Sequence, residues 1–373
     1  MTDGRREPTP AAAPSSPEPS PRAGLGRRLG WDGPTYYGRP QLKPAPFNAG
    51  LVGGYVFLAG LSGSSSLLSA IADLVGGPAV RRVVRRGRRL ALPAPTLGSA
   101  LLIKDLHTPR RFYNMLRVFK PRSPMSVGSW ILMGSAASAV PAAAADFLSD
   151  RWPGFGWLEP AAKVVRAPAA GAGLSVYTAA LLSATSTPFW AAAPAALAVR
   201  FGASSVASAA GALLVGERAP GARRALQMTA LSALAVEAGA AVVQEAVGRR
   251  KGVEQATQGK WGALEQDLAT GLGVALPIAL FGAALLSGRR RSLLADAAAL
   301  ATLAGGLALR IATLGVGDES AACPEISLRF AQPENLPRPS SQARLEHGAP
   351  RPEAVQATLV SGAASGTQVV GHS

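Results

Sequence analysis

Long apolar runs separated by short polar segments dominate the pattern of this chain. Each run is rich in Ala, Leu, Val and Gly, and most approach the roughly 20 apolar residues that a helix needs to cross a bilayer. The runs lie at about 49–74, 90–103, 126–147, 167–184, 189–215, 225–247, 268–286 and 292–316. The pattern therefore predicts an all-α polytopic membrane protein in which about eight transmembrane helices form a bundle.

The two ends of the chain lack this apolar pattern. Residues 1–35 and 318–373 are rich in Pro, Ser, Ala and charged residues, and such segments cannot bury enough apolar surface to offset the entropy lost on ordering. We therefore expect a disordered tail at each end and a single transmembrane domain at 36–317.

The composition is that of a membrane protein rather than a soluble one. The chain is 48% hydrophobic and 16% charged, whereas soluble chains average about 25% charged residues. In a soluble protein the net charge of +16 would suggest a nucleic-acid partner. Here the arginines lie in short clusters between the apolar runs, as in loops that contact lipid headgroups. We therefore expect membrane lipid as a partner and no nucleic acid.

Cysteine and histidine are too scarce for a redox centre held by this chain alone. The one cysteine, Cys323, lies outside the predicted spans, and an iron–sulfur cluster needs several thiolates. Of the three histidines only His107 is near a span, whereas a haem held between helices by two histidines needs both within the spans. We expect no haem, no iron–sulfur cluster and no metal in this chain. Redox cofactors would then belong to partners, or the substrate itself would carry the electrons.

The most distinctive polar stretch is Lys104–Trp130, which we call the basic segment. It lies between two apolar runs and holds six cationic side chains together with several aromatic ones. Pro109, Pro121 and Pro124 prevent one continuous helix through it. The segment is therefore predicted to be a loop at a membrane face, and composition alone would allow a loop that only anchors two helices at the headgroups.

The order of residues in the basic segment is more specific than its composition. From Asp105 to Trp130 it runs DLHTPRRFYNMLRVFKPRSPMSVGSW, which strongly resembles a signature of the NrfD/PsrC family of polysulfide-reductase-like membrane subunits. In addition, Gly53–Gly63 resembles the first span of that family, and Tyr177–Trp190 resembles the end of its fourth span. The resemblance covers roughly 36–316, and His107 stands where a glycine is frequent.

This resemblance implies a role in electron transport. Members of the family are membrane-anchor and quinone-interacting subunits of oxidoreductase complexes in the bacterial cytoplasmic membrane. They exchange electrons between the membrane quinone pool and a peripheral iron–sulfur, ferredoxin-like subunit, with a molybdopterin oxidoreductase subunit beyond it. By resemblance, this chain would use a quinone such as menaquinone as its substrate and would not be catalytic alone.

The resemblance also implies where the sites lie. A quinone would bind among the first four helices, near a membrane face, at Asn48, Tyr55 and Tyr177. Asp105 or His107 would accept a proton, since burial and neighbouring groups can shift the pKa values of such side chains toward neutrality. The cations expected to dock the partner are Arg110, Arg111, Arg117 and Lys120.

Ionisable residues inside spans are costly and mark functional candidates. Arg200 and Glu237 lie deepest in the predicted fifth and sixth spans. They would either form a structural ion pair or serve a proton route, and we include Glu237 among the candidate catalytic residues. Two other functions fit the pattern, a transporter of a small solute and a purely structural membrane anchor. Inverted repeats would support a transporter, and the sequence shows no convincing internal repeat.

Overall fold

Helices form every regular element that the structure describes. The computed structural model describes residues 41–45, 48–105, 109, 112–152, 154, 168–287, 291–332 and 335. No strand occurs within these ranges. The predicted all-α class is confirmed, whereas most of the two predicted tails lies outside the described residues.

We number the α-helices of the described ranges in chain order. They are α1 (Ala49–Val75), α2 (Arg81–Leu90), α3 (Ser99–Asp105), α4 (Asn114–Arg117), α5 (Pro124–Arg151), α6 (Pro168–Ser183), α7 (Pro188–Ala192), α8 (Pro194–Leu214), α9 (Pro220–Arg250), α10 (Lys260–Ala263), α11 (Leu276–Leu286), α12 (Arg291–Ala322) and α13 (Pro324–Phe330). A short π-helix, Ala94–Gly98, precedes α3, and a long one, Leu264–Ala275, joins α10 to α11. Two 3₁₀ helices, Gly77–Val80 and Glu254–Gln258, precede α2 and α10.

Six helical segments of the described chain are long and apolar enough to cross a membrane, judged by length and composition. They are Ala49–Val75, Pro124–Ser149, Pro194–Leu214, Pro220–Arg250, Lys260–Leu286 and Ser292–Ala322. The predicted fourth span corresponds to the shorter α6, and the predicted second span corresponds to α3 with the short π-helix before it. These segments confirm a polytopic membrane protein.

Prolines interrupt two of the predicted spans. Pro93 and Pro95 lack the backbone N–H that a helix interior requires, and the chain around them forms the π-helix Ala94–Gly98 instead of an α-helix. The predicted fifth span is also divided, because α7 ends at Ala192 and Pro194 begins α8. Both spans are therefore less continuous than the apolar pattern predicts.

The arginine-rich stretch 81–89 forms helix α2, although its charge predicts a basic loop. Hydrogen bonds from Arg86 to the end of α8 explain why this stretch packs against the membrane domain. The Arg86 guanidinium donates hydrogen bonds to the backbone carbonyl oxygens of Leu213 at 2.9 Å and Ala212 at 3.1 Å. Carbonyl groups in the last turn of a helix have no partner within that helix. Arg86 therefore satisfies the end of α8 and joins α2 to it.

The spans form two neighbouring groups that meet through α1, α8 and α12. In the first group α1 packs against α2, α3 and α6, and α5 packs against α6. In the second group α8 packs against α9, while α12 packs against α11 and the long π-helix. Because successive spans run in opposite directions, α1 begins and α3 ends on the face that carries the basic segment. We call this the basic face, and the other side of the membrane domain the opposite face.

Small residues allow these spans to approach one another closely. The backbone of Gly273, in the long π-helix, contacts the backbone of Gly305 in α12, and a side chain at either position would overlap the other helix. On α1, a Cβ atom at Gly53 would lie 3.0 Å from the Cα atom of Ile311. These glycines therefore set the distance between the spans.

Ordered helices continue past the predicted domain boundary at 317. Helix α12 extends to the residue before Cys323, and α13 follows with Ile326 buried against the core. The backbone N–H of Ala45 donates to the carboxylate of Asp318 at 3.2 Å, which holds the lead-in to α1 beside the end of α12. The membrane domain therefore includes residues that the sequence pattern assigns to the C-terminal tail.

Cys323 lies between α12 and α13, outside the spans, and we expect its thiol to react slowly at neutral pH. Burial raises the pKa of this thiol to about 11, and its hydrogen bond to Glu325 Oε2, at 3.0 Å, also favours the neutral form. Only the thiolate is nucleophilic, so the rate of iodoacetamide labelling of Cys323 should continue to rise with pH above about pH 9. Glu325→Gln removes the neighbouring negative charge and should lower the pH midpoint of this rate profile. A midpoint near the ordinary cysteine value of about 8.5 would contradict this expectation.

Candidate functional site

Tyr55 and Tyr177 occupy the basic-face end of the first helix group. Tyr55 on α1 is buried, and Tyr177 on α6 is near enough for the two phenols to interact electrostatically. The ring and hydroxyl of Tyr177 rest against Gly128, near the start of α5, where a Cβ atom would overlap them. A Cβ atom at Gly98, beside α3, would lie 3.2 Å from the Tyr55 ring. Two predicted quinone ligands and a glycine of the basic segment thus meet, and we call this the tyrosine site.

Asn48 has a structural role at the same end of the first group. It is the N-cap of α1, and its side-chain oxygen accepts hydrogen bonds from the backbone N–H groups of Gly50 at 3.0 Å and Leu51 at 3.1 Å. Short polar side chains stabilise helix N-termini in this way. The predicted contact of Asn48 with a quinone stays a prediction alongside this role.

Part of the basic segment lies outside the described residues, including His107, Arg110 and Arg111. Asp105 is the last residue of α3, so its backbone lies on the basic face at the start of the segment. The roles assigned to these residues from the sequence, proton acceptance and partner docking, stay predictions.

The described part of the basic segment is held in place by Ser126. Its hydroxyl accepts a hydrogen bond from the backbone N–H of Lys120 at 3.0 Å and donates one to the carbonyl oxygen of Val118 at 3.3 Å. Ser123 caps α5 by accepting from the Ser126 backbone N–H at 3.4 Å. The chain that presents Arg117 and Lys120, both exposed, therefore has a fixed path into α5.

Large apolar side chains are exposed around these two cations. They are Phe112, Tyr113, Val118, Phe119, Met125 and Trp130, with exposed fractions between 37% and 59%. Phe119 and Trp130 pack edge to face, with ring centroids 5.9 Å apart. Because arginine and aromatic residues are enriched at protein interfaces, this surface is suited to a protein partner as well as to lipid headgroups.

A polar cluster lies inside the second helix group. Arg200 on α8 forms a buried ion pair with Glu265, in the long π-helix, and donates to the side-chain oxygen of Gln244 on α9 at 3.2 Å. From the sequence Glu237 is a predicted ion-pair partner of Arg200, and in the structure Glu265 occupies that position instead. The physical reason is that the seventh span begins earlier than its apolar pattern predicts, which brings Glu265 into the membrane domain.

Glu237 lies in the same cluster, beside Arg310 of α12. The hydroxyl of Ser204 accepts a hydrogen bond from Arg310 at 2.6 Å, and Arg310 and the Glu237 carboxylate are near enough to interact electrostatically. Arg310 also donates to the hydroxyl of Ser205 and to the carbonyl oxygen of Phe201, both at 2.8 Å. Glu237 and Arg310 are 3% and 2% exposed. The second group therefore contains a buried network in which opposite charges offset one another.

Comparison with protein-family models shows to which family the chain belongs. Residues 40–318 match the family described as polysulphide reductase, NrfD, and the match covers both the basic segment and the tyrosine site. The chain belongs to the NrfD family. No curated protein matches it in a sequence search. As an NrfD protein it is an integral, multi-pass membrane subunit of the quinone-linked oxidoreductase type.

Several buried charges of this NrfD chain were not predicted from the sequence. Arg88 on α2 and Asp146 on α5 form a second buried ion pair, in the first helix group. Asp146 carried a usable signal, because it is the acidic residue within the predicted third span. Arg88 and Glu265 carried none, since both lie outside the predicted spans.

The described ranges contain no cluster of candidate metal ligands. No three His, Cys, Asp or Glu side chains within them lie together in a way that suits a metal ion. The expectation that this NrfD chain binds no haem and no iron–sulfur cluster rests on its few cysteines and histidines, and it stays a prediction.

Proposed function

We propose that this NrfD chain is the membrane anchor and quinol-interacting subunit of an oxidoreductase complex in the bacterial cytoplasmic membrane. It exchanges electrons between the membrane quinone pool, with menaquinone as the expected substrate, and a peripheral iron–sulfur subunit that precedes a molybdopterin subunit. The supporting observation is the contact of Tyr177 with Gly128, with Tyr55 beside them. Since Gly128 belongs to the basic segment, a quinone at these phenols would lie close to a partner docked on that segment.

The chemistry of this site needs few groups. A quinol that is oxidised gives up two electrons and two protons. The phenol O–H groups of Tyr55 and Tyr177 are hydrogen-bond donors suited to the quinone oxygens, with the amide of Asn48 as a further donor. Asp105 or His107 would accept a proton as a general base. The electrons leave to the iron–sulfur cluster of the partner, and for this reason the chain is not catalytic alone.

Glu237 has a separate proposed role in the second helix group. Acidic residues within spans commonly serve proton relays, and Glu237 lies in a buried network with Arg310 and Ser204. A purely structural network is the other explanation. The Glu237→Gln variant distinguishes these two roles. If Glu237 serves a proton relay, the variant should lower quinol turnover at unchanged stability. If the network is structural, the variant should lower only the stability.

Docking of the partner is expected to depend on Arg117. Arg117→Ala should weaken binding of the iron–sulfur subunit about tenfold, because an exposed arginine among aromatic side chains is the residue type that contributes most at interfaces, about 1–2 kcal/mol or more. Co-purification from detergent and titration with the partner measure the loss. Arg249→Ala is the matched control, since Arg249 is an exposed arginine at the end of α9 and, among the described residues, forms an ion pair with Glu245 of its own helix at 3.1 Å. Unchanged binding of Arg117→Ala, or equal loss in the control, contradicts the docking surface.

Two alternatives remain to be separated from the proposal by experiment, a small-solute transporter and a structural anchor. Co-purification of an iron–sulfur and a molybdopterin subunit would argue against the transporter. Binding of a quinol analogue, lost in Tyr177→Phe, would argue against an anchor without a quinone site. The buried charges of the second group would also suit a transporter, and the contact of the tyrosine site with the basic segment favours the quinol function over it.

A further inference from the structure

Helix α2, at the opposite face, carries six arginines in its ten residues. At about 100° of rotation per residue, five of them form one continuous charged side that covers about 140° of the helix. We call these five the arginine face, which consists of Arg81, Arg82, Arg85, Arg86 and Arg89. The other side of the helix is buried, through Val83, Val84, Gly87 and Arg88. Helix α2 is therefore amphipathic, and most of its cations point away from the core.

The packing of α2 on α1 places the arginine face at the depth of lipid headgroups. The helix folds back along the last turns of α1, because a Cβ atom at Gly87 would lie only 2.6 Å from the Cβ atom of Ser69. Ser69 lies about 9 Å before Val75, the last residue of α1. The 27 residues of α1 measure about 40 Å, whereas the hydrocarbon core of a bilayer is about 30 Å thick. The last turns of α1, and α2 beside them, therefore lie where hydrocarbon meets headgroups.

A tryptophan at the end of α5 indicates the same depth. Arg88 joins α2 to α5 through its ion pair with Asp146. Trp152 ends α5 less than two turns further on, and it is 49% exposed. Its ring lies 6.0 Å from the guanidinium of Arg151. Exposed tryptophans of membrane proteins are enriched at the level of the headgroups, so α5 independently supports this placement of α2.

The arginine face has few acidic neighbours within the protein. No Asp or Glu occurs in the sequence from 74 to 104. Glu217 is near enough to Arg86 to interact electrostatically, but its carboxylate is buried and accepts hydrogen bonds at 2.8 and 3.0 Å from the two backbone N–H groups that follow it. Arg81 and Arg82 are exposed, and neither forms an ion pair with a described residue. The outer end of α2 is therefore strongly cationic.

Charge repulsion within α2 favours the binding of an anion. Three pairs of arginines lie four residues apart, namely Arg81–Arg85, Arg82–Arg86 and Arg85–Arg89. Like charges at this spacing destabilise a helix. Arg81 and Arg82 also lie in the first turn of α2, where the helix dipole favours negative charge instead. An anion bound at this end of α2 would offset both effects.

Exposed apolar side chains adjoin the arginine face. Leu74 and Val75, at the end of α1, are 86% and 83% exposed. The chain turns just after them at Gly77, which has a φ of 59°, and α2 then begins at Arg81. A phospholipid matches both parts of this surface, since its acyl chains can cover the apolar side chains while its phosphate contacts the arginines. A free phosphate ion would use the arginines alone.

We propose that the arginine face, together with Leu74 and Val75, binds an anionic phospholipid in the leaflet at the opposite face. Arg81 and Arg82 donate charge-assisted hydrogen bonds to the lipid phosphate, for which the planar guanidinium group is suited. The bound lipid neutralises the first turn of α2. Because α2 is joined to α5 by Arg88 and to α8 by Arg86, the lipid also strengthens the contacts among these helices. The site does not depend on the proposed quinol function.

Native mass spectrometry of the full chain in detergent tests this lipid site. Phosphatidylglycerol and phosphatidylcholine both carry a phosphate and two acyl chains but differ in net charge, so the wild type should bind the first about tenfold more tightly. Arg81→Gln combined with Arg82→Gln should weaken phosphatidylglycerol binding about 25-fold, since each arginine at a membrane surface contributes about fivefold. Arg249→Gln combined with Arg250→Gln is the matched control. It removes two adjacent exposed arginines at the end of α9 and should retain wild-type affinity.

Leu74→Gln distinguishes a lipid from other anions at the same arginines. It keeps the charge of α2 and should still weaken phosphatidylglycerol binding, because the acyl chains lose an apolar contact. Excess inorganic phosphate should not displace the lipid. Wild-type affinity in Leu74→Gln together with displacement by phosphate would show a site for the free ion and overturn the lipid assignment. Tighter binding of a polyglutamate peptide than of phosphatidylglycerol would indicate an acidic protein partner and overturn it as well.

The remaining outcomes decide whether the arginine face is a site at all. Equal affinity of the wild type for the two lipids overturns the proposal, and so does an equal loss in the Arg249→Gln, Arg250→Gln control. If the double variant of α2 does not fold, Arg81→Gln alone should lower the affinity about fivefold. Unchanged binding in that single variant also overturns the site. The measurement contains no quinone, so its failure leaves the proposed quinol function in place.

Discussion

Gly128→Ala should lower menaquinol oxidation by the complex about 10²-fold, the loss that a misplacement of about 1 Å causes at a reacting site. The added methyl group would overlap the ring and hydroxyl of Tyr177, which rest directly on Gly128. Tyr177→Phe removes only the hydroxyl and should lower the rate in the same direction, because the quinone loses a hydrogen-bond donor. Turnover with a menaquinol analogue measures both effects, and co-purification of the partner shows that the complex still assembles.

Gly173→Ala is the matched control for this prediction. Gly173 lies about one turn from Tyr177 on the same helix, and a Cβ atom there would lie 3.6 Å from the side chain of Ile131, which is an ordinary contact. Its turnover should equal that of the wild type. Wild-type turnover in both Gly128→Ala and Tyr177→Phe would exclude a quinone at the tyrosine site, and an equal loss in Gly173→Ala would assign the effect to general packing.

Arg200→Met should destabilise the membrane domain by about 3–5 kcal/mol, which is the usual cost of removing one partner of a buried ion pair. The substitution leaves the Glu265 carboxylate in a largely buried position without its cation, and the side-chain oxygen of Gln244 loses a donor. The free energy of unfolding of the purified subunit in detergent, obtained from denaturant titration, is the quantity to compare with wild type.

Two further variants show whether charge pairing carries this stability. Glu245→Gln breaks the exposed pair with Arg249, which is worth about 0–1 kcal/mol, and should unfold like the wild type. Arg200→Met combined with Glu265→Leu removes both charges and should regain most of the lost stability, since an apolar pair of similar volume is often as stable. Full stability of Arg200→Met would contradict the buried pairing, and no recovery in the double variant would assign the loss to the other hydrogen bonds of Arg200.

The sequence located part of the candidate site, and its limits have a physical origin. Tyr55, Tyr177 and the basic segment follow from the resemblance to the NrfD family, and the family itself is confirmed. The contact between Tyr177 and Gly128 could not be predicted, because the two residues are far apart in the chain and meet only where α6 packs on α5. Glu265 was missed because a carboxylate at the edge of an apolar run is typical of a loop as well as of a buried pair.

The sequence by itself determined that the chain is an all-α membrane protein, and roughly where its spans lie. A bilayer requires runs of about 20 apolar residues and backbone hydrogen bonds satisfied within each helix, and both requirements are local in the chain. Only the tertiary structure decided which polar groups meet across helices, such as Arg200 with Glu265 and Arg88 with Asp146. A buried charge needs a partner in space rather than in sequence, so the choice among several candidate carboxylates depends on which helices pack together.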